Sequence, residues 1–201
     1  MCNIFNCLFF ELKENLILKK TDNFLVISDP YPITDEHIMI ISKKHYGCIG
    51  ELDKQQLHEL SEIFKDLKSE YLNRHDDFVF YEHGRAGTCG IKMANQECHH
   101  LHLHILPIAS YVTLNINKDL NRNSATLDAI PDLYNSHGQY LLLGRASQCN
   151  FMPVYNTQIP SHYLRSVICH AIGSPEKSNW QTIAEHQNLM QDSNQHIRYR
   201  A

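Results

Sequence analysis

His100, His102 and His104 alternate with Leu101, Leu103 and Ile105 in a stretch reading His-Leu-His-Leu-His-Ile-Leu. Side chains of an extended strand point to its two faces in turn, so the three imidazoles share one face and the apolar residues enter a core on the other. Imidazole titrates near neutrality and can serve as nucleophile, general acid, general base or metal ligand. Three in a row concentrate that capacity on one strand. Pro107 lacks an N–H and is expected to close the segment.

The elements that must hold this row in place can be read around it. Asn23 to Ser28 and His37 to Ser42 have the apolar runs of strands, separated by a turn that Asp29-Pro30-Tyr31-Pro32 opens. Leu52 to Leu72 predicts a long helix, with Leu52, Leu57, Leu60, Phe64, Leu67 and Tyr71 near one face and charge opposite. Phe78 to Tyr81 predicts a short strand running into Glu82-His83-Gly84, and a glycine-containing loop from Arg85 to Glu97 leads to the histidine row. Past Ser110 the pattern changes. Leu114 to Ile130 is mixed and partly helical, Tyr140 to Gly144 is another strand, and Pro160-Ser161 opens a helix that Gly173 ends. The expected division is 1–110 for the histidine-bearing domain and 111–201 for a C-terminal extension packed on it.

Bulk properties narrow the function. The chain has 201 residues, 43% hydrophobic and 20% charged, as expected of a soluble globular protein. A net charge of -4 argues against binding polymeric nucleic acid, while leaving single nucleotides open as ligands. No apolar run approaches the roughly 20 residues needed to cross a bilayer. Seven cysteines with no regular spacing, and an N-terminus without the basic start of an export signal, imply free thiols in a reducing cytoplasm.

The row His100 to Leu106 resembles the His-φ-His-φ-His-φ-φ signature of the histidine triad superfamily of nucleotide hydrolases and transferases. His37-Ile38-Met39-Ile40-Ile41-Ser42-Lys43-Lys44-His45 is similar to that family's Gly-His-apolar-run-Pro-Lys-x-His segment, with Glu36 in place of the glycine and Ser42 in place of the proline. Tyr81-Glu82-His83-Gly84, followed by Gly87 and Gly90, resembles a segment seen before the triad in a bacterial branch. The resemblance covers roughly Asn23 to Ile108. It implies an α+β fold: an antiparallel sheet of about five strands with a long helix packed on it, here with a mixed C-terminal extension, and commonly a homodimer.

It also implies roles. His102 would attack an α-phosphate and form a nucleotidyl-histidine, its other ring nitrogen donating to the carbonyl of His100. His104 would bind phosphate oxygens and assist the leaving group, His100 would hold the strand and its tautomers, and His37 would line the pocket as a fourth imidazole. Asp29, eight residues before His37, falls where the family has its ribose-binding acid. A turn residue before proline is the alternative. Phe24 and Ile27 are candidate walls for the base or plain core, and Gln96 resembles the family's phosphate-loop glutamine, although Glu97 beside it would repel a phosphate.

The implied function is hydrolysis of a nucleotide conjugate, of phosphoramidate or dinucleoside polyphosphate type, at a nucleoside 5′-phosphoryl bond. The alternatives are a nucleotidyltransferase or phosphorylase using the same intermediate, and a non-catalytic module binding nucleotide or zinc. No cofactor is required. A structural zinc on Cys2, Cys7, His45 and His100 is implied by some bacterial relatives, and two sulfurs with two imidazoles suit tetrahedral zinc. Two free thiols in an apolar strand are the alternative. His83 either approaches the leaving-group side or pairs with Glu82. Arg145 and Arg165 are either solvated or reach phosphates from the extension.

Overall fold

Apolar runs bounded by turn residues become strands β1 (Ile17–Lys20), β2 (Phe24–Ser28), β3 (Ile38–Ser42), β4 (Phe78–Glu82) and β5 (His102–Pro107) in a computed structural model that describes residues 12–87, 100–155 and 158–180. The extension adds β6 (Asn123–Ser124), β7 (Tyr140–Arg145) and β8 (Gln148–Pro153) to the same sheet. Its order is β1-β2-β3-β5-β4-β7-β8-β6, and every pairing is antiparallel. The sheet therefore has eight strands where about five were expected. β8 escapes a sequence reading because Gln-Cys-Asn-Phe-Met-Pro neither alternates cleanly nor avoids proline. With β5 on one side and β7 on the other, β4 offers no open edge to a second copy.

The long helix α1 (Lys54–Arg74) begins two residues later than its apolar stripe, at a capping box. Asp53 accepts from the Gln56 N–H and the Gln56 side chain accepts from the Asp53 N–H, satisfying donors that a helix start leaves open. Leu57, Leu60, Ile63, Leu67 and Tyr71 are buried against Phe24, Val26, Ile38, Ile40, Phe78, Phe80, Leu103 and Ile105. Leu114 to Ile130 is mostly irregular, and the helix expected there starts only at its end, as α2 (Ile130–His137) with proline in its first turn. The third helix, α3 (Tyr163–Ala171), ends where Gly173 takes φ +75°.

The other face of the sheet has a separate core. Val79, Tyr81 and Leu106 meet Leu141, Leu143 and Met152 from β7 and β8, and Leu164, Ile168 and Cys169 of α3 cover them. The sheet thus lies between α1, joined by α2, on one side and α3 on the other. The turn before β3 is fixed from the α1 side. Glu36 adopts φ +60°, a region glycine enters freely and other residues at a cost of about 1–2 kcal/mol. Its carboxylate meets Arg74 at 3.0 Å and His75 at 2.8 Å, and its carbonyl accepts from the Tyr71 hydroxyl. Ser42 donates its N–H to the Leu101 carbonyl at 3.1 Å, a bond the family's proline could not make.

Candidate active site

β5 sits between β3 and β4, with His102 opposite Ile41 and His104 opposite Met39 and Tyr81. The period of two sends Leu103 and Ile105 into the α1 core and leaves His102 and His104 on the extension side, partly exposed. Tyr81 stacks on His104 with centroids 4.4 Å apart and planes 7° off parallel. His102 and His104 meet edge to face at 5.3 Å.

Hydrogen bonds set the tautomers. His102 Nδ1 lies 2.8 Å from the His100 carbonyl oxygen, which can only accept, so Nδ1 carries the proton and Nε2 keeps its lone pair. His100 Nδ1 donates in the same way to the Ser42 carbonyl at 2.6 Å. His37 has the opposite polarity. The Ile33 N–H donates to His37 Nδ1 at 3.1 Å, so the proton is on Nε2, which faces His104 Nδ1 at 3.0 Å. His104, accepting there, carries its own proton on Nε2. Neighbouring imidazoles therefore present a lone pair at position 102 and an N–H at position 104.

Asp29 lies under this pair and is only 3% exposed. Its Oδ1 accepts the Tyr31 N–H at 2.7 Å, while Oδ2 is 3.3 Å from His37 Nε2, 3.4 Å from His104 Nδ1 and 4.0 Å from an Arg165 nitrogen. Burial alone would raise its carboxyl pKa; His37, His104 and Arg165 outweigh that and hold it well below the usual carboxylate range. Burial pushes His37 down to about 4, with Asp29 pulling the other way and Arg165 and Lys177 adding to the fall. Burial likewise pushes His104 down to about 3 against the pull of Asp29. At neutral pH the cluster holds a carboxylate and two uncharged rings.

Among the described residues, the donor atoms of Asp29, His37 and His104 stand close enough to share an ion. The proton pattern does not suit one. A His37 ring that accepts at Nδ1 must be protonated at Nε2, the nitrogen that would ligate, and Arg165 already brings positive charge to Asp29. The residues fit a hydrogen-bonded cluster. For the implied zinc, the rings of His45 and His100 meet at 4.3 Å, and His100 donates its Nδ1–H to the Ser42 carbonyl, the kind of outer bond that metal-bound histidines make. Cys2 and Cys7 lie outside the described residues, as do Gln96 and Glu97.

Several expectations need correction. Phe24 is not a pocket wall: it lies on the α1 face with Val26, because even-numbered residues of β2 share that side. Ile27 is on the histidine side, packed with Met39 and Ile41. Asp29 is buried, with Oδ1 accepting from the Tyr31 N–H and Oδ2 facing His37 and His104. Arg145 is engaged with Asp77 at 2.7 Å and with the carbonyls of Ile108, Ala109 and Val112, fixing the chain that leaves β5. Glu82 does not pair with His83. It accepts from the Ile49 N–H at 2.9 Å and the Tyr140 hydroxyl at 2.5 Å on the α1 side.

The extension supplies what the sequence reading left unassigned. His83 Nε2 accepts the Leu164 N–H of the first turn of α3 at 3.0 Å. His162, just before α3, accepts the Trp180 indole N–H at 3.1 Å, and Trp180 packs on Tyr31 with centroids 4.9 Å apart. Arg165, 5% exposed, donates to the Lys177 carbonyl at 2.8 Å and the Tyr31 carbonyl at 2.7 Å. Lys177 in turn donates to the Ile33 carbonyl at 2.8 Å. The only hint in sequence is that Arg165 falls on the apolar stripe of its helix, an unusual place for an unpaired cation.

Comparison with known proteins agrees with this architecture. Residues 3–119 match the family described as scavenger mRNA decapping enzyme C-term binding, which is more than half of the chain. The chain belongs to that family, within the histidine triad superfamily. A 16.1 kDa HIT-like protein of Mycoplasma pneumoniae, described as uncharacterized, is 25% identical over 131 residues, covering 59% of this chain and 84% of its own length. The family match ends before β6, so β7, β8 and α3 lie beyond it. No helix among the described residues is long and apolar enough to cross a membrane.

Proposed function

We propose that this chain hydrolyses nucleotide conjugates at a nucleoside 5′-phosphoryl bond through a nucleotidyl-His102 intermediate. The observation that carries the reading is the tautomer of His102, whose Nδ1–H is committed to the His100 carbonyl at 2.8 Å. Its Nε2 lone pair attacks the α-phosphorus. The bond from phosphorus to the leaving oxygen or nitrogen breaks, and the electron pair departs with that atom. His104 Nε2–H, on the same face, donates to the phosphoryl group or to the departing atom. Water then attacks phosphorus, the P–N bond breaks, and the nucleoside monophosphate leaves. Two displacements replace one difficult step. His37 acts behind His104, fixing its proton on the outward nitrogen. The family's description names an mRNA decapping enzyme, and a cap is one conjugate of this class.

Asp29 enters this proposal as the buried anion beneath the two rings, and Ile27 as part of the apolar wall. A structural zinc on Cys2, Cys7, His45 and His100 would brace the start of the histidine row and take no part in the reaction. Transfer to a phosphate or sugar-phosphate acceptor is the second reading, favoured by the closeness of the extension to the triad through His83 and Leu164. A panel of nucleoside phosphoramidates and dinucleoside polyphosphates in ¹⁸O-water tests both. Hydrolysis releases monophosphate with one solvent oxygen on every turnover. Transfer releases one equivalent of leaving group per chain, and no monophosphate, until acceptor is added. Nucleotide binding with no product from any donor would contradict both and leave a binding module.

A further inference from the structure

The extension makes its deepest polar contact at Asp29. Arg165 is nearly inaccessible, and α3 is otherwise apolar on that side, with Leu164, Ile168 and Cys169 in the core. A guanidinium in such a place needs both partners for its protons and a counter-charge. The carbonyls of Lys177 and Tyr31 take two of its donors, and Asp29 Oδ2 stands 4.0 Å from a third nitrogen. The groups facing His104 and His37 can be named from each element. They are Asp29 from the β2–β3 turn, His102 from β5, Tyr81 from β4, His83 from the residue just after it, Arg165 from α3, and Lys177 from the turn after α3. Asp29 is the anion in this set, and the extension supplies its fixed cations.

We propose that Arg165 is a positioning residue: from the extension it balances the Asp29 carboxylate, so that His37 and His104 stay uncharged and His104 keeps its proton on the outward Nε2. A buried carboxylate without that guanidinium would draw a proton onto the cluster. His37 is a poor site for it, because the Ile33 N–H already points at Nδ1. His104 Nδ1 is the better one, facing Asp29 Oδ2 at 3.4 Å. Protonation there would break the bond from His37 and turn a neutral donor into an imidazolium paired inward. The same residues hold the turn mechanically. Arg165 and Lys177 grip the carbonyls of Tyr31 and Ile33, and Ile33 is the residue that sets the His37 tautomer.

The inference rests on the proposed role of His104, but its test does not need turnover. Histidine ring ¹⁵N–¹H spectra of the full chain, titrated with pH, report charge and tautomer of His37 and His104 directly, with assignments from His37→Gln and His104→Gln. Arg165→Met is expected to raise the pH at which the pair takes up a proton by about one unit or more. Arg165→Lys, which keeps the charge, is expected to stay near the wild-type value. Adding Asp29→Asn to Arg165→Met removes both charges and is expected to bring the pH of proton uptake back to the wild-type value or below it. Unchanged titration in a folded Arg165→Met variant would overturn the proposal. So would failure of the double variant to fold, which would make Arg165 a clamp alone. Absence of hydrolysis with these shifts present would instead fault the proposed reaction.

Discussion

The two faces of β5 share one backbone and do opposite work. Toward α1, Leu103 and Ile105 are fully buried in a core of aliphatic and aromatic side chains from α1 and the sheet. Toward the extension, His102 and His104 keep partial exposure: His102 is held by the His100 carbonyl, and His104 faces His37 and Asp29 beneath the stacked ring of Tyr81. The first face is held by area removed from water, which tolerates small displacements. The second depends on the direction of single N–H bonds, where one reversed tautomer would exchange nucleophile and donor. Stability and chemistry should therefore separate when the two faces are perturbed one at a time.

The largest separation is expected from a pair of truncations. His102→Ala should lower turnover by about 10⁴-fold or more while leaving the denaturation midpoint nearly unchanged. Leu60→Ala, in the α1 core, should cost about 2–5 kcal/mol of unfolding free energy with the folded fraction retaining near-normal turnover. If Leu60→Ala cripples catalysis in fully folded protein, the faces are not independent.

A smaller effect lies in the pH dependence of stability. Burial raises the Glu82 carboxyl on the α1 side to about 8 from an ordinary value of 4.5, with Glu51 adding to the rise and its bonds from Tyr140 and Ile49 opposing it. The folded chain therefore holds a proton that the unfolded chain releases between those values, and the associated stability is lost progressively as pH climbs from about 4.5 to about 8. The neutral His37 and His104 act in the reverse sense, favouring the folded state less as pH falls below the ordinary histidine value of 6.5. Chemical denaturation between pH 6.5 and 8 should show a decline in the wild type that Glu82→Gln removes. An identical slope in both would place the proton elsewhere.

How much of this was legible differs between the faces for the same physical reason. Periodicity reports on burial, so β2 to β5 and α1 could be located from their apolar spacing, and α1 is displaced by two residues at each end, starting at the cap where Asp53 and Gln56 close the box. The split of β2 is also a matter of period: Phe24 and Ile27, both open as pocket wall or core, fall on opposite faces. The histidine row and the Asp29 to His37 offset are local patterns and were visible. The engagement of Asp29 is not. It depends on Arg165, more than a hundred residues away in sequence, and on the Tyr31 N–H, which no side-chain pattern encodes. β8 stayed hidden because its fitness as a strand comes from pairing with β7 rather than from its own composition.

The smallest effect sharpens the boundary between the faces, at the turn that delivers His37. Glu36→Ala keeps the φ +60° penalty and loses the contacts to Arg74 and His75, for a cost of about 1–2 kcal/mol. Glu36→Gly loses the same contacts but relieves the backbone, and should be less destabilised than the alanine variant by about 1 kcal/mol. Equal midpoints for the two would show that the backbone there is unstrained.

The central claim is that the lone pair left on His102 Nε2 becomes bonded to phosphorus during turnover. Rapid quench of the enzyme at early times with a nucleoside phosphoramidate, followed by peptide mass analysis, tests it most directly. The account predicts a nucleoside-monophosphate adduct on His102 that forms and decays at rates compatible with turnover and is absent from His102→Ala. Steady product formation by His102→Ala, or an adduct confined to another residue, would contradict it.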